Sequence, residues 1–331
     1  MKRTALLCLL VLAGCGGPAL SEYGTPLPSE TLLLYPEGQE TDKGLDGAMG
    51  PCVSNGWTGQ EAIAENGDIS DVTEPTIDLY FPENPNGQMV IVCPGGGYWI
   101  TSSWNEGLYV ADWMLARGIT VCVVEYRMPN GHWEIPLQDI QNAFRYCRAH
   151  AGEWGVNQIG VMGFSAGGHL AASTTNLFVD DITRPDFSVL IYPVISMDKT
   201  ITHMGTRTNL IGKDDKWDNK DVTVAEYEAA QAKKAELETR YSLDLQVTEK
   251  TPASFIAHCT DDTVVPIENT IRYYRSLVKY RVPAELHIFP TGGHGWGFSS
   301  EKFVGKGEDR FVYARSEFEA SLERWLESLR K

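Results

Sequence analysis

Ile159-Gly160-Val161-Met162-Gly163-Phe164-Ser165-Ala166-Gly167-Gly168-His169-Leu170-Ala171-Ala172 is the stretch that decides the fold. The apolar run Ile159–Met162 reads as a buried strand, and Gly168–Ala172 reads as the helix that follows it. Between them stands G-x-S-x-G with Ser165 at its centre. A chain that turns from strand into helix over so few residues crowds its own side chains, and the flanking glycines relieve that crowding. The turn pushes the serine hydroxyl out at the end of the strand, where it can act as a nucleophile.

The rhythm of strand and helix extends both ways from this turn. Thr76–Phe81 alternates as a half-buried strand, and Gln88–Cys93 and Ile119–Val124 read as β-branched central strands. Ser188–Tyr192, Ala253–His258 and Ala284–Phe289 continue the series. Helices are expected over about Asn105–Arg117, stopped by Gly118, and from Pro136 through the apolar stripe Leu137, Ile140, Phe144 and Cys147. Ile267, Ile271, Tyr274 and Val278 mark another, as do Phe311, Ala314, Phe318, Leu322, Trp325 and Leu329 at the end. This alternation predicts a single α/β domain over residues 31–331, a doubly wound, mostly parallel sheet with helices on both faces and its chemistry at the C-terminal strand ends. Residues 30–75 read as irregular apart from an edge strand near Thr31–Tyr35. Residues 198–250 form a polar insertion before the last strands, with a charge-rich stretch at Lys213–Asp218 and a helix near Val222–Glu238. It is either a lid over the site or a solvated excursion.

Serine is a poor nucleophile unless an imidazole takes its proton and a carboxylate holds that imidazole in the useful tautomer. Both groups follow in order. Asp261 and Asp262 stand in the loop after Ala253–His258, and His294 stands among glycines after Ala284–Phe289. The expected triad is Ser165, His294 and one of the two aspartates, with Asp262 preferred. His132, His150, His203, His258 and His287 lack this setting and read as structural or surface residues; His169, on the helix after Ser165, reads as core or as support for the site. The strand Gln88–Cys93 empties into Pro94-Gly95-Gly96-Gly97-Tyr98. Amides of Gly96, Gly97 and Ala166 are therefore expected to form an oxyanion hole, because glycines let N–H groups converge without side-chain interference. Tyr98, Trp99 and Trp296 are candidate substrate contacts.

Met1-Lys2-Arg3 followed by the apolar Ala5–Ala13 and Leu12-Ala13-Gly14-Cys15 has the pattern of a bacterial lipoprotein signal over residues 1–14, with Cys15 lipidated. Residues 15–30 then form a flexible tether, and the protein is expected in the cell envelope, its only tie to a membrane being the lipid on Cys15. The formal net charge of −16 argues against nucleic-acid partners and against adhesion to anionic lipid by charge. Of seven cysteines, Cys8 leaves with the signal and Cys15 carries lipid; the remaining five are an odd number without C-x-x-C spacing. Neither a disulfide framework nor a zinc site is expected. No metal or organic cofactor is needed by a serine–histidine–aspartate site.

At Val92–Tyr98, Gly163–His169, Asp261–Pro266, Pro283–His287 and Gly292–Gly297 the chain resembles the bacterial acetyl xylan esterase-like and feruloyl esterase-like enzymes of the α/β-hydrolase fold. The resemblance runs from about residue 75 to the end. In that family the aspartate before x-Val-Val-Pro is the triad acid, which favours Asp262. The resemblance implies a metal-free serine carboxylesterase that removes acyl groups, chiefly acetyl, from plant cell-wall polysaccharide or oligosaccharide. A feruloyl or general aryl esterase would share the same machinery. A surface glycan-binding lipoprotein on a hydrolase scaffold is the non-enzymatic alternative, and it would be expected to have lost part of the triad.

Overall fold

Strands buried on both faces cannot alternate polar with apolar residues, and four successive segments obey that constraint. The computed structural model describes residues 26–35, 61–298 and 313–330. The signal segment, Cys15 and most of the tether lie outside the described residues. The eight strands of the main sheet are β1 (Glu30–Leu33), β4 (Thr76–Tyr80), β5 (Gln88–Cys93), β7 (Thr120–Glu125), β8 (Gln158–Phe164), β9 (Phe187–Ile191), β10 (Ala253–Cys259) and β11 (Ala284–Phe289). Their order in space is β1-β4-β7-β5-β8-β9-β10-β11. From β7 to β11 every neighbouring pair is parallel, and β4 runs antiparallel to both β1 and β7. Every residue of β5, β7, β8 and β9 is buried, as a parallel sheet covered on both sides demands.

The two faces divide by the period of the strand. Met89, Ile91 and Cys93 of β5 point into one core layer, and Val90 and Val92 point into the other. The first layer is closed by α2 (Ile135–His150), α3 (Ser165–Asn176) and α7 (Glu268–Lys279), through Phe144, Leu170 and Leu277 among others. The second is closed by α1 (Tyr109–Leu115) and the final helix Glu319–Ser328, through Met114, Leu322 and Trp325. The chain leaves β5 for β7 on one side and then returns to β8 on the other. The crevice beyond β5 and β8 is thus the switch point of a doubly wound sheet, where loops part and a ligand site can open. This is the α/β-hydrolase fold.

Two features differ from the sequence reading. Residues 61–75 are not wholly irregular: β2 (Ala62–Ile63), β3 (Asp68–Ser70) and β6 (Ile100–Ser102) form a small antiparallel sheet. Strands of two and three residues are too short to show a period. The helix expected from Asn105 opens instead as a π-helical turn over Trp104–Leu108 before α1 begins.

The insertion forms α4 (Met204–Ile211), α5 (Asp214–Trp217) and α6 (Val224–Arg240) between β9 and β10. Thr223 begins α6 with a capping box, its hydroxyl accepting the Glu226 amide while the Glu226 carboxylate accepts the Thr223 amide. Leu210, Ile211, Trp217 and Leu237 are buried in the main core, so this segment is packed down rather than held away in solvent.

A buried ion pair ties the sheet to α2. Arg127, just beyond β7, donates to Asp139 from its amide at 2.9 Å and from Nη2 at 2.7 Å. The two side chains are 2% and 0% exposed. Tyr35 also donates to this carboxylate at 2.8 Å, which fastens the segment after β1 to the same point. Replacing Arg127 with Met would leave Asp139 charged, buried and unpaired. Urea melts of Arg127→Met should show a loss of about 3–5 kcal/mol in unfolding free energy.

Candidate active site

The first residue of α3 is Ser165, and it has a left-handed backbone with φ of +51°. Such a conformation is strained for a residue with a side chain, and the surrounding contacts must hold it there. A β-carbon at Gly163 would overlap the carbonyl of Gly167, and one at Gly167 would overlap the carbonyls of Cys93 and Pro94. Both glycines are required by close approach of backbones, which presses the start of α3 against the ends of β5 and β8.

The loops after β10 and β11 bring two further side chains to this point. His294 Nε2 lies 2.8 Å from Ser165 Oγ, and His294 Nδ1 lies 2.7 Å from Asp262 Oδ2. A carboxylate only accepts, so Nδ1 carries the proton and Nε2 presents its lone pair to the serine hydroxyl. Asp262 also accepts the amides of Val264 and Val265 on Oδ1, each at 2.9 Å, and His258 Nε2 on Oδ2 at 3.1 Å. Burial would raise its pKa, but hydrogen bonds from His258, His294 and the Val265 amide, with the charge His294 can carry, hold the carboxyl well below the usual range. The neighbouring Asp261 does not reach His294. It accepts the amides of Gly292 and Gly293 at 3.3 and 2.8 Å and so shapes the histidine loop.

His258, expected only as a structural residue, is a second histidine on the Asp262 carboxylate. Its Nε2 also faces the Val265 carbonyl at 3.0 Å, so that nitrogen is a donor, and Nδ1 accepts from Thr270 Oγ1 at 2.7 Å. The signal was the spacing His258-x-x-x-Asp262 at a strand end, which is too short and common to stand out in a sequence.

The glycine loop after β5 faces Ser165 across the crevice. Gly96 has φ of +127°, and a β-carbon there would overlap the Ile100 carbonyl. Its own carbonyl accepts the amides of Trp99 and Ile100 at 3.0 and 3.1 Å, turning the Gly96 and Gly97 region back on itself. The amides of Gly96 and Gly97 donate to no described residue. Ala166 lies in the first turn of α3, where amides lack partners within the helix.

Of the three candidate substrate contacts, one reaches the cleft. Trp99 is 47% exposed and lines it. Tyr98 is buried: its hydroxyl donates to His169 Nδ1 at 3.0 Å, while His169 Nε2 donates to the Tyr241 carbonyl at 2.9 Å. A left-handed φ of +59° turns Tyr98 inward, so it backs the loop rather than touching a ligand. Trp296 is buried too, edge-on between Tyr192 and Phe318 with ring centroids 4.9 Å away on each side. His169 is kept neutral by burial, which pushes its pKa down to about 4.

The cleft has a volume of about 520 Å³, and His203, Gly205 and Asn209 of the insertion line it together with Ser165, Gly97 and His294. Asn209 donates to the Gly97 carbonyl at 2.9 Å. His203 accepts the Thr206 amide at the start of α4, and burial with the nearby charge of His294 lowers its pKa. The insertion is therefore a wall of the cleft, and His203 is one of its faces rather than a surface residue. A larger cavity of about 620 Å³ within the insertion, lined by Lys199, Lys234 and Glu238 among others, contains none of these groups.

The arrangement can pass a proton from Ser165 to His294 while Asp262 steadies the ring, beside amides free to receive a negative oxygen. The sequence profile of the BD-FAE family matches residues 77–277. The chain is 36% identical over 235 residues to an acetylxylan esterase of Xylanibacter ruminicola, covering 70% of this chain and 46% of that protein. It is 32% identical over 230 residues to endo-1,4-beta-xylanase B of Butyrivibrio fibrisolvens, covering 65% of this chain and 33% of that one. It thus spans less than half the length of these curated relatives. Among solved structures, the acetyl ester-xyloside bifunctional hydrolase of Caldicellulosiruptor lactoaceticus superposes with a TM-score of 0.61 at 32% identity, over 77% of this chain and 88% of that one.

A carboxyl whose folded pKa is depressed stabilises the fold above its unfolded pKa, and the contribution is lost as pH falls through the folded one. The stability advantage of wild type over Asp262→Asn should hold level from about pH 5 upward and shrink below about pH 4 in urea melts at successive pH values.

Proposed function

The chain belongs to the BD-FAE family, and on that premise we propose that it is a serine carboxylesterase removing acyl groups, chiefly acetyl, from plant cell-wall polysaccharide or oligosaccharide. The observation that carries this reading is the unbroken hydrogen-bond chain from Ser165 through His294 to Asp262, set beside the amides of Gly96 and Gly97. Ser165 attacks the ester carbonyl as His294 Nε2 takes its proton. The carbonyl oxygen, now negative, is held by the amides of Gly96, Gly97 and Ala166. The imidazolium gives its proton to the leaving alcohol, and the acyl-enzyme forms. Water then enters, loses a proton to His294 and releases the acid. Relatives named for acetylxylan and acetyl ester–xyloside hydrolysis support an acetylated sugar as the substrate.

The size of the cleft favours a second reading. A volume of about 520 Å³ lies within the range of sites for drug-sized ligands, so a feruloyl or other aryl ester would fit as well as an acetyl group. The exposed Trp99 at the mouth offers a flat apolar face to either a sugar ring or an aromatic acyl group.

Acetate release from acetylated xylo-oligosaccharides by residues 22–331 tests the proposal. Ser165→Ala should reduce it at least about a thousandfold, because the remaining groups cannot form the acyl-enzyme. A folded wild-type protein that releases ferulate but not acetate would transfer the assignment to the aryl esters, and one that releases neither would refute it. The motif ending in Cys15 adds a location to the proposal: lipid-anchored in the cell envelope. Cys15→Ser should move the full chain from the membrane fraction to the soluble one in a bacterial host.

A further inference from the structure

Glu106 is a buried carboxylate that the acyl-transfer steps do not use. It is 4% exposed, lies in the π-helical turn before α1, and has no ion pair with any described Lys or Arg. Isolating a charge from water without a cation is costly, so the position calls for an account. Its Oε2 accepts the Gly95 amide at 2.6 Å, and its Oε1 accepts the Tyr192 hydroxyl at 2.7 Å. The Tyr192 oxygen in turn accepts the Gly297 amide at 2.8 Å. One carboxylate thereby joins the glycine loop after β5 to the histidine loop after β11, through a tyrosine that follows β9. Asn105 beside it donates to the Gly295 carbonyl at 3.0 Å, a second tie to the histidine loop.

The contact is close at both ends. A β-carbon at Gly95 would lie 2.5 Å from Glu106 Oε2, so the carboxylate and the loop are fitted to each other. The Tyr192 ring packs on the histidine itself, with centroids 4.8 Å apart. Resting on the serine-esterase reading above, we propose that Glu106 is a positioning residue that sets the oxyanion loop and His294 in register through Tyr192 and favours the charged form of His294 during the reaction.

The charges around this group support the second half of that statement. Burial raises the Glu106 pKa above the usual carboxyl range; the hydrogen bonds from Tyr192 and Gly95 and the charge His294 can carry oppose that shift, while Asp68 of β3 adds a like charge. His294 itself faces Asp262, with His258 behind that carboxylate, and His203 across the cleft. The attraction between Glu106 and His294 exists only when the imidazole is charged, and at neutral pH it becomes charged by taking the serine proton. It therefore acts on the transition state rather than on substrate binding.

Turnover of p-nitrophenyl acetate against pH, for wild type, Glu106→Gln, Tyr192→Phe and Ser165→Ala, tests the proposal. Glutamine keeps the shape, removes the charge and turns one of the two accepting atoms into a donor. Glu106→Gln should lower kcat about tenfold to a hundredfold with KM little changed. The loss of a negative neighbour disfavours the imidazolium, so the acid limb of kcat/KM should move down by about one pH unit. An unmoved limb, whatever the fall in rate, would mark Glu106 as a structural residue only and overturn the proposal. If Glu106→Gln melts before it can be assayed, Tyr192→Phe decides: it retains the charge but breaks the bridge, and wild-type kcat in that variant would overturn the clamp. Wild-type turnover that survives in Ser165→Ala would refute the esterase reading itself, a failure distinct from that of the clamp.

Discussion

Gly167 seated on the carbonyls of Cys93 and Pro94 is the contact on which the rest of the site depends. It allows α3 to start within the crevice between β5 and β8 instead of standing off from it. A single methyl group there would push the helix outward and carry Ser165 with it. Because the same contact involves the end of β5, the strand that leads to Gly96 and Gly97, it sets the distance between Ser165 and the amides opposite. Tyr126 reinforces the join by donating to the Pro94 carbonyl at 2.6 Å. Close packing of backbone on backbone is stiff, since it has no rotamers to adjust, and stiffness is what a site built from amide groups needs.

Electrostatics complete what packing begins. Besides His203 on the cleft wall, three histidines stand around Ser165 in very different surroundings. His169 is sealed between Tyr98 and the Tyr241 carbonyl and stays neutral. His258 spends one nitrogen on Thr270 and shares the other between Asp262 and the Val265 carbonyl. Only His294 has one nitrogen on a carboxylate and the other free to meet the serine. Asp262 can serve two histidines because backbone amides occupy its other oxygen, which keeps it ionised and fixed in the plane that His294 requires. A carboxylate with fewer donors would be easier to protonate and free to turn, and the tautomer of His294 would no longer be determined.

The parts of this molecule that were legible in the sequence are those written in short, local patterns. The G-x-S-x-G turn, the strand runs with their β-branched residues and the glycines around His294 each announce themselves within a few positions. The preference for Asp262 over Asp261 rests on no distinguishing local pattern and is strengthened by the family resemblance, since two adjacent aspartates in one loop look alike until the loop is folded. Tyr98 and Trp296 were misplaced for a related reason. Both adjoin site residues along the chain, but a left-handed backbone at Tyr98 and the ring pair Tyr192 and Phe318 around Trp296 turn them into the core. The roles of His203 and Glu106 were invisible because the groups they face are remote: the His203 ring bonds to nearby Thr206 yet lines the cleft of Ser165 and His294, and Glu106 meets Tyr192 across 86 positions of sequence. Periodicity reports which face of an element is apolar, and it cannot report which polar residue on a buried turn has found a partner elsewhere.

That distinction bears on how the cleft chooses among esters. The groups that would handle the carbonyl come from strand ends of the sheet, whereas the wall that would meet the alcohol or the acyl chain comes from α4 and the glycine loop. Asn209 joins the two by donating to the Gly97 carbonyl, so the wall and the oxyanion loop cannot shift independently. Changing residues of α4 therefore alters more than the shape of the cleft, because the strain passes through one hydrogen bond to the amides that face the nucleophile. His203, capping α4 beside His294, sits where both effects meet. Its lowered pKa favours the uncharged form beside His294. The shape of the cleft and the placement of the amides beneath it are thus coupled through the packing of the insertion, whose α4 is held both by the main core and by this hydrogen bond.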